Sequence, residues 1–297
     1  YRWLENPDAP ASRSWIDAQN ALFFGWLKRV PARDRIRARL SHLWNYPRYG
    51  VPRQLNGRYF YLKNDGLQNQ SALYVAESLR GEAKVLLDPN TLSKDGTVAL
   101  KGAYFSKDGK YVAWQSAASG SDWTEIHVRD VATGKDLADL VRWVKFSGAS
   151  WRKDGSGFYY SRYDAPKAGQ ALKGANYFQK LYFHKLGTSQ DADTLIYERK
   201  DHKDWGFSAS VSDDDRWLII SVWRGASSRN QVFVQELSGP KKSARKKTGP
   251  VRELITGFEH EYDFHLYQLH EYNKYFEHEY KYNKYKHKNK LLLIQKM

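Results

Sequence analysis

One short unit recurs along the chain and restricts its fold more than any other feature. A large apolar residue is followed by a polar turn containing Asp-Gly or Asp-Asp, and then by a short hydrophobic strand. An Asp-Gly pair supplies the left-handed backbone of a tight hairpin, and the aromatic residue before it is expected to pack between sheets. The three copies begin at Phe105, Trp151 and Val211.

The spacing of these copies indicates the architecture. A further strand is predicted in each copy, at 125–131, 180–186 and 231–237, and a less regular first copy spans residues 58–87. Four strands per unit, repeated at roughly 45 to 60 residues, are typical of propeller blades rather than of a sandwich. We therefore predict a mainly β chain, a partial β-propeller of about four four-stranded antiparallel blades preceded by an N-terminal helical segment.

The first segment, residues 1–52, is predicted to be helical. Ser12 or Ser14 is expected to cap a helix that continues to Val30, and a second amphipathic helix is predicted at 33–44. The first helix has apolar residues around most of its circumference, so it requires partner surfaces on more than one side. Its apolar residues are Trp15, Ile16, Ala18, Leu22, Phe23, Trp26, Leu27 and Val30.

The predicted propeller occupies residues 53–264, and a tail of different composition follows at 265–297. The tail lacks Gly and Pro and contains repeats of the short motifs His-Glu-Tyr and Tyr-Asn-Lys-Tyr. Blade strands need turn residues, so we expect the tail to be disordered or weakly helical, and we interpret it as an out-of-frame or otherwise aberrant terminus. The spacing of its histidines does not predict a metal site.

Bulk composition excludes some functions and leaves others open. The net charge of +15 leaves a basic polyanion-binding protein as one alternative, but Lys and Arg are scattered along the chain, and the basic run at 239–250 is predicted to be a solvated hairpin loop. Nucleic acid is therefore not an expected partner. The chain has no Cys and no apolar run of the ~20 residues that a membrane-spanning helix requires. A cytoplasmic location is favoured, and a periplasmic one stays open because the chain begins at Tyr1 without Met.

An ordered series of short segments resembles the prolyl oligopeptidase family of serine peptidases over residues 1–264. The segments lie at 3–7, 66–70, 73–74, 86–90, 95–97, 120–123, 144–147, 179–182 and 261–263. The resemblance implies part of a seven-bladed propeller that acts as a size filter over an α/β-hydrolase domain, on which the N-terminal helical segment packs. It also implies short proline-containing peptides as substrates of the intact family.

The chemistry that the resemblance implies has no counterpart in this sequence. In the family the catalytic Ser, Asp and His all follow the propeller, and no G-x-S-x-G pentapeptide occurs here, since 148–152 and 225–229 both fail at the last position. We therefore assign no catalytic residue, metal ligand or cofactor, leave the substrate-binding residues unassigned, and expect this chain alone to be inactive. A non-catalytic propeller interaction module is the other alternative.

Several polar residues have a structural interpretation instead. His127, His184 and His202 are predicted to be strand or surface histidines without a spaced carboxylate. Asp108, Asp154 and Asp214 are predicted to serve turn chemistry.

Overall fold

The computed structural model describes residues 1–167, 169, 171, 174–237 and 248–262. The predicted tail and most of the basic run at 239–250 lie outside the described residues. The described part is mainly β, with two α-helices at its N-terminus and antiparallel sheets after them, which confirms the predicted fold class. None of the helices in these ranges has the length and hydrophobicity required to cross a membrane.

The N-terminal segment contains a 3-10 turn (Arg2–Glu5), helix α1 (Pro10–Leu27) and helix α2 (Arg33–Trp44). The predicted start of the first helix was wrong, because α1 begins at Pro10, where the missing N–H costs nothing, and it ends at Leu27 rather than Val30. Ser12 is not its cap. The buried Ser12 hydroxyl instead donates to the Trp3 carbonyl at 3.0 Å and ties the helix to the 3-10 turn.

The apolar stripe of α1 is largely uncovered. Trp15, Phe23 and Trp26 are 42%, 53% and 56% exposed, and the main contact of α1 is with the 3-10 turn. On α2, Ile36 and Leu40 are exposed as well. These exposures confirm that the helical segment carries more apolar surface than the described residues bury.

Blade 1 contains β1 (Arg48–Tyr49), β2 (Arg53–Leu55), β3 (Arg58–Asn64), β4 (Ala72–Ala76) and β5 (Ala83–Leu87). Both β1 and β2 pair with β3, so they form one interrupted inner strand. Pro52 lies in the interruption, where its missing N–H leaves no ladder bond broken. The first strand of blade 1 thus begins at Arg48, inside the segment 1–52 that was predicted to be helical. The division of the chain into domains at residues 52 and 53 stays a prediction.

Three further blades follow in the described ranges. Blade 2 contains β6 (Val98–Phe105), β7 (Tyr111–Ala118), β8 (Thr124–Asp130) and β9 (Asp136–Val144). Blade 3 contains β10 (Ser150–Trp151), β11 (Gly157–Arg162), β12 (Lys180–Lys185) and β13 (Thr194–Tyr197). Blade 4 contains β14 (Trp205–Val211), β15 (Trp217–Arg224), β16 (Asn230–Glu236) and β17 (Val251–Ile255). The strands predicted at 125–131, 180–186 and 231–237 match β8, β12 and β16.

Successive blades pack against each other with a separate apolar core in each interface, and blades 2 and 3 are also joined into one sheet by pairing of Val144 on β9 with Arg162 on β11. Phe60 and Trp114 lie in the core between blades 1 and 2, and Phe158 lies in the core between blades 2 and 3. Phe207 and Phe233 lie in the core between blades 3 and 4. The aromatic residues before the repeated turns pack between sheets as predicted. Phe105 lies 4.4 Å from Phe60 between ring centroids, and Trp151 is buried.

The repeated turns have the predicted chemistry. The Asp108 carboxylate accepts from the Lys110 backbone, Asp154 from Ser156, and Asp214 from Arg216. In the first two turns the next residue is a glycine with a left-handed backbone, Gly109 at φ 68° and Gly155 at φ 70°. In the third turn the same position is Asp215, which has φ 61° despite its side chain.

The Asp215 side chain explains why a residue other than glycine occupies this left-handed position. Its carboxylate receives the Arg152 guanidinium from the turn of blade 3 in a bidentate pair, with distances of 2.7 and 3.0 Å, and accepts from the Lys153 backbone. The neighbouring Asp213 receives Lys107 from the turn of blade 2 at 2.7 Å. One turn of blade 4 therefore binds the turns of both preceding blades.

Replacing Asp215 tests this balance between strain and ion pairing. We expect Asp215→Gly to lower the free energy of unfolding by about 2 kcal/mol, because breaking a mostly buried pair costs ~3 kcal/mol and removing the left-handed strain returns ~1 kcal/mol. In an Arg152→Met background the same change should instead stabilise by up to about 1 kcal/mol. Urea denaturation of the four proteins measures both differences. An equal loss in the two backgrounds would contradict the assigned role.

Candidate functional site

The order of strands in each blade defines two faces of the arc. Because the strands alternate in direction, the turns after the first and third strands of each blade lie on one face, which we call the hairpin face. The loops after the second strands and the connections between blades lie on the other, which we call the loop face. The N-terminal helices precede β1, so the chain enters blade 1 from the loop face.

Aromatic side chains gather on the loop face around the connection from blade 2 to blade 3. Trp123 meets Trp143 and Tyr163 edge to face at 5.8 and 6.0 Å between ring centroids. Phe146 reaches across to Trp223 of blade 4 in a perpendicular contact at 5.9 Å. We call Trp123, Trp143, Phe146, Tyr163 and Trp223 the aromatic rim. It joins three blades on one face.

Two residues of the aromatic rim have strained backbones. Trp143 and Phe146 have φ values of 62° and 56°, in the left-handed region that bulky side chains rarely occupy. Phe146 is nevertheless 55% exposed, so burial of its ring does not compensate for the strain. Backbone strain of this kind persists where the surroundings enforce it, and it is typical of functional sites.

Buried side-chain amides enforce the conformation of the connection that carries Phe146. Gln179 is 1% exposed, and it donates to the Lys145 carbonyl at 2.8 Å while accepting from the Phe207 backbone at 2.6 Å. Gln115 donates to the Ser147 carbonyl at 2.7 Å. The carbonyls on both sides of Phe146 are therefore fixed by side chains from the neighbouring blades.

Lys145 places a positive charge beside the aromatic rim. Its ammonium lies 4.9 Å from the Trp123 ring centroid and 5.5 Å from that of Phe146. The Asn176 amide oxygen lies 3.4 Å away, and the Asp122 carboxylate 3.8 Å away. The Lys145 ammonium is a hydrogen-bond donor beside the aromatic rings. The rim therefore combines a polar group, suited to the backbone of a ligand, with apolar surface, suited to its side chains.

Three segments on which the family resemblance was based converge here. Residues 120–123, 144–147 and 179–182 contribute Trp123, Phe146 and Gln179 to one site. The sequence left the substrate-binding residues unassigned. An aromatic residue inside a connection between predicted blades, as in Val144-Lys145-Phe146-Ser147, is the signal that could have located the site.

The three histidines singled out from the sequence lie apart from the aromatic rim. His127 stacks on Trp114 at 4.3 Å, and His202 stacks on Trp205 at 4.0 Å. The expectation that these histidines have no carboxylate partner was wrong. His127 lies 3.8 Å from the Glu125 carboxylate, His202 lies 3.5 Å from that of Asp201, and the strand histidine His184 on β12 has two partners. Its imidazole contacts Asp193 at 2.7 Å and Asp139 at 3.0 Å.

His184, Asp139, Asp193 and Tyr160 form a buried group that we call the His184 cluster. The Tyr160 hydroxyl donates to Asp193 at 2.6 Å, and the Gly187 backbone donates to Asp139 at 2.6 Å. Burial alone would lower the pKa of His184, but the hydrogen bonds and negative charges of the two carboxylates outweigh it and raise the pKa to about 9. The cluster therefore holds a charged imidazole between β9 of blade 2 and the outer strands of blade 3.

The His184 cluster is a buried connection between blades 2 and 3. The His184 and Asp193 side chains are fully buried, and no serine belongs to the cluster. Ser150, from one of the imperfect G-x-S-x-G matches, accepts a hydrogen bond from the Val211 backbone on blade 4. In the ranges that the structure describes, no group of three or more His, Asp or Glu side chains is arranged to hold a metal ion.

Comparison with known proteins identifies the class of this fold. A family model described as the prolyl oligopeptidase N-terminal beta-propeller domain matches residues 1–286. A prolyl endopeptidase of Elizabethkingia meningoseptica is 38% identical over 260 residues, which cover 87% of this chain and 35% of that protein. Prolyl oligopeptidase A of Galerina marginata is 32% identical over 262 residues, which cover 79% and 35%.

A solved structure agrees with these sequence relatives. Prolyl oligopeptidase B from Galerina marginata, bound to a 35mer hydrolysis and macrocyclization substrate, is similar with a TM-score of 0.78 at 26% identity, covering 90% of this chain and 39% of that one. The chain belongs to the prolyl oligopeptidase family, and the part compared is the family's N-terminal β-propeller domain. It spans 35% of the length of the first curated relative. The predicted resemblance is confirmed.

The charge of the His184 cluster predicts a pH dependence of stability. Because the folded pKa is about 9 and the unfolded value is 6.5, the stabilisation is complete below pH 6.5 and is lost as the pH rises through 9. Across this window we expect the free energy of unfolding to fall by about 3 kcal/mol. Denaturant titrations at several pH values measure the slope. His184→Gln should abolish it, whereas the control His202→Gln should retain it, and an unchanged slope in His184→Gln would refute the assignment.

Strain at Phe146 predicts a difference between two truncations. Both Phe146→Ala and Phe146→Gly remove the half-exposed ring, but only glycine adopts φ 56° without steric cost. We therefore expect the glycine variant to be more stable than the alanine variant by about 1 kcal/mol, as measured by urea denaturation. Equal stability of the two variants would show that the backbone is not strained.

Proposed function

We propose that this chain is the propeller portion of a prolyl-oligopeptidase-like serine endopeptidase, and that its loop face forms one wall of the cavity that receives short proline-containing peptides. The observation that carries the proposal is the exposed and strained Phe146 in the aromatic rim. The rim lies on the loop face, the same face from which the N-terminal helices enter blade 1.

The chemistry of the aromatic rim suits peptides that contain proline. Aromatic rings bind proline-containing segments by packing against their apolar rings, and these segments have no internal hydrogen bonds, so their carbonyls are free to accept. In the rim the rings of Phe146 and Trp223 provide the apolar surface, and the Lys145 ammonium provides a donor.

Amide hydrolysis belongs to a different part of the proposed enzyme. A serine peptidase needs a nucleophile, a base, an orienting carboxylate and oxyanion donors, and the described residues do not assemble this set. We propose that an α/β-hydrolase domain supplies it and packs on the loop face. The exposed apolar side chains of α1 and α2, such as Trp26 and Leu40, support this packing because they are more than half exposed.

The relatives support a peptide substrate. Those named prolyl endopeptidase are similar over the propeller, and prolyl oligopeptidase B from Galerina marginata was solved with a 35mer hydrolysis and macrocyclization substrate. We propose short peptides for this chain because the propeller acts as a size filter in the implied architecture.

Peptide binding and hydrolysis by the purified chain test the proposal together. A fluorescein-labelled peptide containing a central proline should bind, as measured by fluorescence anisotropy, and Phe146→Ala should weaken binding about fivefold because one aromatic contact is lost. The control Leu79→Ala, at an exposed hydrophobic position on the hairpin face, should leave the affinity unchanged.

The same peptide should not be cleaved by the chain alone. Product formation followed by mass spectrometry, and its loss after treatment with an active-site serine reagent, would contradict the assignment of catalysis to a separate domain. Equal binding by wild type, Phe146→Ala and Leu79→Ala would remove the aromatic rim from the proposed site.

A further inference from the structure

A second concave site lies on the loop face beside the aromatic rim, between residues 177–178, just before β12, and the connection from β13 to β14. It has a volume of about 500 Å³ and includes Tyr177, Phe178, His202, Lys203 and Asp204, none of which belongs to the rim. We call it the distal groove. Its volume lies in the range typical of ligand pockets.

The walls of the distal groove are held in place by backbone strain and buried hydrogen bonds. Phe178 has a left-handed φ of 60°, and its backbone N–H donates to the Lys203 carbonyl at 2.8 Å, so the two sides of the groove are joined. The next residue is the fully buried Gln179, which also fixes the connection that carries Phe146. One side-chain amide thus sets the position of both sites.

Two aromatic rings line the distal groove without being buried by it. Tyr177 and Phe178 are 44% and 43% exposed and meet edge to face at 6.5 Å between ring centroids. The Lys203 ammonium lies 4.6 Å from the Tyr177 centroid and orients that ring. On the other side His202 is stacked on the buried Trp205 at 4.0 Å, with ring planes only 7° apart.

The charges of the distal groove are partly neutralised. Asp201 pairs with Arg199 at 2.8 Å, and Lys200 pairs with Glu198 at 3.2 Å. The groove therefore presents apolar rings together with the Lys203 ammonium and the Asp204 carboxylate, a donor and an acceptor for polar backbone groups.

We propose that the distal groove is a second peptide subsite, which binds an extended proline-containing segment of the same substrate. This inference rests on the proposed function, and it adds that binding depends on substrate residues beyond those at the aromatic rim. Aromatic grooves bind the preformed polyproline II conformation with a small loss of entropy. The occupant is a peptide rather than a compact metabolite, because the groove is open and offers ring faces with separate donor and acceptor groups.

Binding of a fluorescein-labelled peptide of repeated Ala-Pro-Pro to the full chain tests the distal groove. Fluorescence anisotropy should show a loss of about fivefold in affinity for Tyr177→Ala, because one ring contact is removed. The matched control Tyr177→Phe keeps the ring and should bind like wild type. A peptide with alanine in place of every proline should bind at least about fivefold more weakly. Unchanged affinity of Tyr177→Ala would overturn the proposal.

Phe146→Ala separates this proposal from the function on which it rests. If Phe146→Ala weakens binding and Tyr177→Ala does not, the distal groove is rejected while the aromatic rim stands. If only Tyr177→Ala weakens binding, the groove is supported and the rim is rejected. Absence of any binding by wild type rejects both.

Photocrosslinking provides a measurement that does not depend on the folding of a variant. The Ala-Pro-Pro peptide with a benzophenone at one end should crosslink wild-type protein within residues 174–204, as mapped by mass spectrometry. Crosslinks confined to other segments would overturn the proposal.

Discussion

The whole structure depends on the burial of apolar faces between adjacent blades. Each interface has its own core, with Phe60 and Trp114 in the first, Phe158 in the second and Phe207 in the third. Face-to-face burial sets the angle between blades, and that angle brings Phe146 of one connection against Trp223 of the next blade but one. The aromatic rim is therefore a product of blade packing, since its residues come from segments far apart in the sequence.

Polar groups complete these interfaces where apolar packing ends. The His184 cluster joins β9 to the outer strands of blade 3, and Gln179 joins the connection before blade 3 to β14 of blade 4. Buried polar groups are costly unless they are hydrogen-bonded, and each side-chain nitrogen and oxygen of His184 and Gln179 has a short hydrogen bond. Such interactions specify one relative position of two blades more narrowly than hydrophobic contacts do.

The sequence predicted the blades well because their signals are local. Asp108 and Asp154 indicate hairpins because their carboxylates accept backbone hydrogen bonds within the turn. The strands on either side of these turns are predicted by their alternating hydrophobic residues. The His184 cluster could not be predicted, since Asp139 belongs to another blade and approaches His184 only after the sheets pack. The aromatic rim was missed for the same reason, although Phe146 lies in a segment already recognised. The start of α1 was misplaced because Ser12 found a tertiary partner, the Trp3 carbonyl, instead of capping the helix.

The turn of blade 4 that binds Arg152 and Lys107 has a mechanical consequence. Asp215 and Asp213 connect three blades at the hairpin face, so these blades cannot separate there without breaking both ion pairs. On the opposite face the same blades meet through other contacts, among them the one between Phe146 and Trp223. If the loop face binds a peptide as proposed, the spacing of the blades around that peptide depends in part on ion pairs that it does not contact.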